Sequence, residues 1–188
     1  ELFQELNIAK EKYSMAVGNA LEYLENIEEG SFDTVLCLGM LYYTTEPYRL
    51  LKLMLRAAKE TVILDTFTAA YAAIQGKEAP QVYESVNEET LKLPILLTAL
   101  TQPEKKDYTL PHSFDYRSKD LSLITLPSAE LLEIWFQSLN AQFKKMDWST
   151  YGTRPCTYHD LLTPDQKKSS HWADVYTSGI RVSYLLHK

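Results

Sequence analysis

The chain has 188 residues, of which 45% are hydrophobic and 23% charged, and its formal net charge at pH 7 is −6. This length is sufficient for one domain with a substantial core. No apolar run reaches the roughly 18 residues that a membrane span needs, and no basic-then-apolar leader marks secretion. We therefore expect a cytoplasmic protein without a membrane partner, and the composition leaves a homo-oligomer open.

The charged residues are unevenly distributed along the chain. Residues 1–139 contain 12 Lys and Arg against 21 Asp and Glu, whereas residues 140–188 contain 7 against 4. A basic C-terminal quarter gives weak support to a nucleic-acid partner, and a solvated surface explains it equally well. Cys37 and Cys156 show neither a disulfide framework nor metal-ligand spacing, so we expect two free thiols and no metal site.

The N-terminal part of the chain predicts three short elements. Residues 1–12 carry apolar residues at helical spacing, with Glu and Lys between them, which predicts a helix. Residues 13–17 predict a short strand, and a turn at Gly18 and Asn19 leads into a short amphipathic helix over residues 20–27.

The segment 31–43, SFDTVLCLGMLYY, predicts the strand around which the rest is organised. Its continuous apolar run is typical of a parallel strand buried on both faces by helices. Ligands of open α/β sheets bind outside the carboxyl ends of such strands. The residues after the run are therefore a candidate site, unless they only pack the strand against the next helix: Gly39, Met40, Leu41, Tyr42 and Tyr43.

A helix and a second strand follow this segment. Thr44 or Thr45 can cap a helix with Pro47 in its first turn and an end near Lys59. Its predicted buried residues are Leu50, Leu53, Met54, Ala57 and Ala58, whereas Lys52, Arg56 and Lys59 are predicted to face water. Residues 61–66, TVILDT, then predict a buried strand that completes a right-handed βαβ unit.

Residues 67–120 form a looser region that we interpret as a helical insertion over the site side of the sheet. Helices are predicted over residues 68–75 and 87–100, and the scattered tyrosines of this region either pack ordinarily or stack a base or line a pocket. The remaining predicted elements are strands at 121–125, 142–150 and 180–187 and a helix at 129–139. The last two strands predict an antiparallel pair at the sheet edge.

Common catalytic motifs are absent, because no GxG, Walker A, GxSxG, HExxH or CxxC pattern occurs. Five ordered segments are more informative: GNALEYL, FDTVLCLGMLYYTTEP, TVILDT, ITLPSAELLEIWF and GIRVSYLLHK. Together they resemble class I S-adenosylmethionine-dependent methyltransferases, and more narrowly the tRNA wobble-uridine methyl/carboxymethyl transferase family. The resemblance covers most of the chain apart from the insertion.

This resemblance implies an α/β fold. The expected architecture is a single methyltransferase domain over residues 1–188, with a three-layer Rossmann-like sheet, an antiparallel C-terminal strand pair and the insertion at 67–120. The family's strand order is 3-2-1-4-5-7-6. Its Gly-rich first strand-loop-helix is absent here, so we expect the N-terminal strands to be missing and residues before Glu1 to supply the main cofactor cradle.

The resemblance also implies where S-adenosylmethionine, or a carboxylated derivative of it, would bind. Gly18, Asn19 and Ala20 correspond to the turn that faces the adenine ring, where an amide oxygen and a backbone N–H can bond the base. Gly39, together with Met40, would let the backbone approach the cofactor closely.

Two further residues match functional positions of carboxymethyl-transferring relatives. Tyr42 and Arg181 correspond to the side chains that hold the extra carboxylate of the cofactor, a role that suits a phenol and a guanidinium. The alternative for Arg181 is an ion pair with a nearby acid such as Asp174. We expect Tyr42, Tyr43 and Arg181 to carry the transfer, with Tyr43 touching the substrate.

The substrate is open between a tRNA wobble base and a small molecule. The expected substrate-binding residues lie in the basic C-terminal loop: Arg154, Lys167, Lys168 and Trp172. Tyr43, Thr44 and Thr45 replace basic residues of the family, which weakens the tRNA interpretation, and Asp65 replaces a Glu. A non-catalytic binding or scaffold protein with the same fold is the alternative to an enzyme.

Overall fold

The computed structural model describes residues 5–6, 8–71, 88–101, 114–116, 119–151 and 172–188. The helices are α1 (Ala20–Glu25), α2 (Pro47–Ala57), α3 (Glu88–Leu91), α4 (Ala129–Ser138) and α5 (Trp172–Thr177). The strands are β1 (Phe32–Leu38), β2 (Ala58–Phe67), β3 (Leu96–Thr101), β4 (Phe114–Tyr116), β5 (Lys119–Pro127), β6 (Gln142–Lys145) and β7 (Arg181–His187).

The main sheet is mixed and has the strand order β1-β2-β7-β6. β1 and β2 are parallel and joined by α2, whereas β7 is antiparallel to both β2 and β6. The predicted βαβ unit and the antiparallel C-terminal pair are therefore confirmed, as is the α/β fold class. The observed order equals the second half of the expected sheet, 4-5-7-6.

The core lies on the face of the sheet that α2 and α4 cover. α2 contributes a buried stripe because its leucines recur at helical spacing after Pro47, which is tolerated in the first turn. Leu132 and Phe136 of α4 pack against Tyr184 and Leu186 of β7 in the same cluster. Ser128 caps α4 by accepting a hydrogen bond from Leu131 N at 3.2 Å.

The prediction that β1 is buried on both faces is wrong. Cys37 is buried, but Leu36 and Leu38 on the opposite face are 60% and 57% exposed. α2 and α4 cover one face only. Among the described residues, no segment buries Leu36 and Leu38 on the other face. The same face bears Asp65 of β2 and Ser183 of β7, which are neighbours in register with Leu38.

A second sheet, of order β3-β5-β4, contradicts part of the predicted helical insertion. The predicted helix at 87–100 is helical only over α3, and Leu96–Thr101 instead pairs antiparallel with β5. The short apolar run LLTALT suits a strand once β5 provides a partner, which the local pattern does not reveal. In the other predicted helix, at 68–75, the described part is a 3₁₀ turn over Ala69–Tyr71.

The N-terminal predictions also need correction. The predicted helix at 1–12 is interrupted at residues 8–9, and Lys10–Lys12 forms a 3₁₀ turn without a buried residue. Residues 13–17 form no strand, and Val17 is fully exposed, because no described strand pairs with them. The cap of α2 is Glu46, not a threonine, although Thr44 Oγ1 accepts from Glu46 N at 3.1 Å.

Arginines of α2 hold α1 in place. The Arg56 guanidinium donates to the carbonyl oxygens of Leu24 and Ile27 at 2.6 and 3.0 Å, and Arg49 forms ion pairs with Glu25 and Glu46. The prediction that Arg56 faces water is therefore wrong, because it satisfies carbonyls at the C-terminal end of α1. Within the described ranges, no helix has the length and hydropathy of a membrane span.

Candidate functional site

The site is built around Gly39, which directly follows β1. Gly39 has a φ of +71°, and its N–H donates to the Asp65 carbonyl oxygen at 2.8 Å, one step beyond the last paired residues of β1 and β2. A Cβ at Gly39 would lie 3.2 Å from Arg181 Nη2 and 3.5 Å from Tyr42 Oη. The space that a side chain would need is therefore taken by Arg181 and Tyr42.

One cleft, which we call cleft A, lies on the Met40 side of Gly39. Its volume is about 360 Å³, within the range of about 300–1,000 Å³ for small-molecule sites. The lining contains no charged side chain. It comes from two segments that are distant in sequence: Gly18, Asn19 and Ala20 from one, and Met40, Tyr43 and Thr44 from the other. Leu21 and Leu50 complete an apolar wall.

Both sides of cleft A are held by the fold. The Asn19 amide oxygen accepts from Leu21 N at 2.9 Å and so caps α1, which Arg56 anchors to α2 at its other end. On the opposite side, Tyr43 N donates to the Met40 carbonyl oxygen at 3.0 Å. The Thr125 hydroxyl of β5 donates to the Thr44 carbonyl oxygen at 2.8 Å, so the second sheet fixes this turn.

Asp65 is the centre of a buried hydrogen-bond network behind Gly39. Its carboxylate accepts from Arg181 Nε at 2.5 Å and forms an ion pair with Arg181 Nη2. It also accepts from Ser183 Oγ at 2.6 Å and from Tyr176 Oη at 2.8 Å. The alternative foreseen for Arg181, an ion pair with an acid, is thus present, and the partner is Asp65.

An aromatic cluster surrounds this network at the ends of β1 and β2. The ring of Tyr42 lies 4.4 Å from that of Tyr43 and 5.0 Å from that of Phe67, between centroids. Phe67 stacks on Tyr71 at 4.2 Å, and the Arg181 guanidinium carbon lies 4.8 Å from the Phe67 centroid. The side chain of Tyr42 is buried within this cluster, whereas Tyr43 lines cleft A.

The protonation states exclude several residues as bases or nucleophiles near neutral pH. Burial, followed by the neighbouring Tyr43, raises the pKa of Tyr42 well above its usual value. Burial raises the pKa of the Cys37 thiol to about 11. Burial lowers the pKa of Arg181, but the hydrogen bond and charge of Asp65 outweigh it, so the pKa is raised. Tyr42 and Cys37 are neutral, and Arg181 remains cationic.

Tyr176 is expected to contribute stability that is lost in alkaline solution. Burial and then Asp65 raise its pKa from 10.0 to about 12, so the contribution is complete below pH 10 and disappears as the pH approaches 12. We expect Tyr176→Phe to lower the free energy of unfolding by about 1 kcal/mol at pH 8, with a gap to wild type that narrows between pH 10 and 12. Urea unfolding with the exposed Tyr23→Phe as control measures this, and a constant gap would contradict it.

A second cleft, cleft B, lies on the Leu38 side of Gly39 and also has a volume of about 360 Å³. Its polar floor is the network of Asp65, Arg181 and Ser183. Its walls are apolar or aromatic: Leu38, Ile63, Met146, Trp148 and Tyr176. The residues on either side of Gly39 therefore line different clefts, Met40 in cleft A and Leu38 in cleft B.

The sequence-predicted site residues fall into three groups. The structure brings Gly18, Asn19, Ala20, Met40 and Tyr43 together in cleft A. Gly39 lies beside Tyr42 and Arg181, and Arg181 lines cleft B. Arg154, Lys167 and Lys168 lie outside the described residues, as does the side chain of Trp172, so their substrate role stays a prediction. Cys156 also lies outside them, whereas Cys37 is a free, buried thiol.

Sequence reasoning identified Arg181 and Asp65 but missed the other polar and aromatic residues of cleft B. Tyr176, Ser183 and Trp148 were not singled out, although one signal was available. Asp65 is a carboxylate within an apolar strand, and a buried carboxylate requires partners. That signal predicts that partners exist but not which they are, because Tyr176 and Ser183 are 111 and 118 residues away in sequence.

No protein-family model and no curated protein sequence matches the chain. Solved structures do resemble it. The YcgJ protein of Bacillus subtilis aligns with 100% of this chain and 75% of its own, with a TM-score of 0.50 and 13% identity. A SAM-dependent methyltransferase from Archaeoglobus fulgidus aligns with 98% and 72%, with a TM-score of 0.44 and 11% identity. At 13% identity the likeness to YcgJ shows a shared α/β fold.

Proposed function

We propose that the protein is an S-adenosylmethionine-dependent methyltransferase that binds its methyl donor in cleft A. One observation carries this proposal: residues 18–20 and three residues that follow a parallel strand, Met40, Tyr43 and Thr44, are distant in sequence but line one uncharged cleft. Ligands of open α/β sheets bind at this end. These are also the two segments for which the resemblance to class I methyltransferases implies donor contacts.

Cleft A fits the adenosine part of such a donor in size and chemistry. A Cβ at Gly18 would meet no heavy atom within 4 Å, so the cleft is open where the turn approaches it. Asn19 and the N–H of Ala20 can bond the edge of the base, and Met40 and Tyr43 provide a thioether and a ring for its faces. When bound, S-adenosylmethionine would supply a sulfonium methyl group to an oxygen or nitrogen nucleophile that loses its proton.

The contribution of the chain itself is then positioning rather than proton transfer. Tyr42 is neutral and buried, and the Asp65 carboxylate already accepts from Arg181, Ser183 and Tyr176, so neither is available as a general base. Tyr43 is the aromatic residue that reaches cleft A. We therefore assign Tyr43 to direct contact and Tyr42 and Arg181 to support of the Gly39 turn.

The donor in this proposal is the plain methyl compound, not the carboxylated derivative. A carboxylate on the donor would have to compete with Asp65 for the Arg181 guanidinium. Asp65 is buried and accepts four donor contacts, so displacing it would leave a buried carboxylate with fewer partners, which is costly. The Asp65–Arg181 ion pair thus favours a donor without an additional negative charge.

For the acceptor we propose either a tRNA wobble uridine or a small molecule. The net charge of +3 over residues 140–188 supports a tRNA partner weakly. A titration with tRNA at two salt concentrations separates the two, because phosphate contacts make affinity fall steeply with salt. Absence of tRNA binding at low salt would favour the small-molecule acceptor.

Gly18→Leu is expected to weaken donor binding at least tenfold without destabilising the fold. Gly18 does not have a positive φ, and nothing lies within 4 Å of its Cβ position, so a larger side chain would extend into cleft A without backbone strain. We expect wild-type protein to bind S-adenosylhomocysteine with micromolar affinity in calorimetric titration, and Gly18→Leu to bind at least tenfold more weakly.

The matched control is Val17→Leu, since Val17 is fully exposed and does not line cleft A. It should bind as wild type does. Equal binding by Gly18→Leu and wild type would place the donor elsewhere. No binding of S-adenosylhomocysteine by the intact wild-type protein would overturn the methyltransferase proposal and leave the non-catalytic binding or scaffold protein.

A further inference from the structure

We propose that cleft B is the acceptor subsite and that it takes a planar, uncharged aromatic or heteroaromatic ring. The inference deepens the proposed methyltransferase function and rests on it for the word acceptor, whereas the binding of a ring rests on cleft B alone. It is carried by three observations on the described residues: the position of the cleft, the composition of its walls and the neutrality of its floor.

The position follows from the two neighbours of Gly39 in sequence. Met40 lines cleft A and Leu38 lines cleft B, so the two clefts reach the residues on either side of Gly39. A donor in cleft A and an acceptor in cleft B would therefore approach each other across one residue. Such proximity is what a group transfer requires from its enzyme.

The walls of cleft B favour a flat ring. Trp148 stacks on Tyr176 with 4.8 Å between centroids and 29° between planes, and both side chains line the cleft. The sheet contributes Leu38 and Ile63, and Met146 adds a thioether. Aromatic and thioether surfaces bind the faces of planar rings, and stacking on aromatic side chains tolerates many kinds of base.

The wall is held rigidly by the chain itself. Trp148 Nε1 donates to Ser183 Oγ at 3.1 Å, and Tyr176 Oη donates to Asp65 at 2.8 Å. The orientation of both rings is thus set by β2 and β7, whose backbones are paired in register at Asp65 and Ser183. A wall that is ordered in advance loses less conformational freedom when a ligand binds.

The floor argues for an uncharged ligand. Asp65 and Arg181 neutralise each other, and the carboxylate is already bonded to Ser183 and Tyr176. A charged ring buried above this floor would gain no unpaired counter-charge from it, and burying a charge without a partner is costly. An uncharged ring avoids that cost and keeps the stacking.

The test is a calorimetric and ligand-observed NMR titration of the intact protein with uridine and indole as planar probes. Cyclohexylmethanol serves as a non-planar apolar probe. We expect both rings to bind more tightly than cyclohexylmethanol, and Trp148→Leu to weaken ring binding at least tenfold while S-adenosylhomocysteine binding is retained. Trp135→Leu, which removes an equally half-buried tryptophan outside the cleft, should leave ring binding unchanged.

A second variant guards against misfolding of Trp148→Leu. Leu38→Lys introduces a charge at an exposed position of the cleft lining and should also weaken ring binding tenfold. Ring binding that both variants leave unchanged, or equal binding of the planar and non-planar probes, would overturn the subsite. A third outcome separates the two proposals. If the wild-type protein binds the rings but not S-adenosylhomocysteine, and both variants lose ring binding, the ring site is supported and the methyltransferase function is overturned.

Discussion

Replacing Asp65 with asparagine is expected to lower the free energy of unfolding by about 3 kcal/mol, because it leaves the Arg181 guanidinium buried without its counter-charge. Asp65 and Arg181 are both buried, with 6% and 8% of their surface exposed. The carboxylate also accepts from the hydroxyls of Ser183 and Tyr176, which an amide serves less well. Urea unfolding followed by circular dichroism measures the effect.

The matched control is Asp33→Asn, which breaks the exposed ion pair with Lys59 and should cost under about 1 kcal/mol. The double variant Asp65→Leu with Arg181→Met removes both charges and should recover most of the lost stability, since a buried ion pair can be replaced by apolar side chains of similar volume. An Asp65→Asn protein as stable as Asp33→Asn would show that the network does not stabilise the fold.

Gly39→Ala is expected to lower the free energy of unfolding by about 2 kcal/mol and to weaken S-adenosylhomocysteine binding at least tenfold. Left-handed backbone costs an L-residue roughly 1–2 kcal/mol, and Gly39 has a φ of +71°. The added Cβ would also lie 3.2 Å from Arg181 Nη2, and Asp65 prevents that guanidinium from moving away easily. A displaced Arg181 or Tyr42 would shift the turn that lines cleft A.

Gly179→Ala separates the two causes. Gly179 has a φ of +77°, but a Cβ there would meet nothing within 4 Å. It should therefore show the backbone cost alone, about 1 kcal/mol, with unchanged S-adenosylhomocysteine binding. Equal effects of the two substitutions on stability and binding would mean that contact between residue 39 and Arg181 has no influence on the site.

Much of the main sheet could be predicted from the sequence because its elements have strong local signals. The apolar run after Phe32, the helical spacing after Pro47 and the β-prone segment of β2 each identify an element by itself. A short strand, a helix and a strand in that order then imply a parallel, right-handed unit. The bounds of α4 and β7 were predicted to within one residue.

The second sheet could not be predicted in the same way. Residues 96–101 are apolar and short, and such runs are compatible with a helix or a strand until a partner is known. Their partner is β5, whose paired residues lie 21–31 positions further along the chain. Exposure of Leu36 and Leu38 was also unpredictable, because a continuous apolar run indicates hydrophobicity but not which faces other elements cover.

The candidate site likewise combines features with local sequence signals and features that depend on distant residues. Local patterns in the sequence predicted the class of the fold and a site after the glycine that ends β1, because backbone conformation and apolar periodicity are local properties. The site role of residues 18–20 was implied by the family resemblance. The tertiary structure alone decided that Asp65 neutralises Arg181, that Tyr43 instead of Tyr42 reaches cleft A, and that Trp148 stacks on Tyr176. Charge pairing and stacking depend on distance in space, and residues 28 to 116 positions apart in sequence come close only when the chain folds.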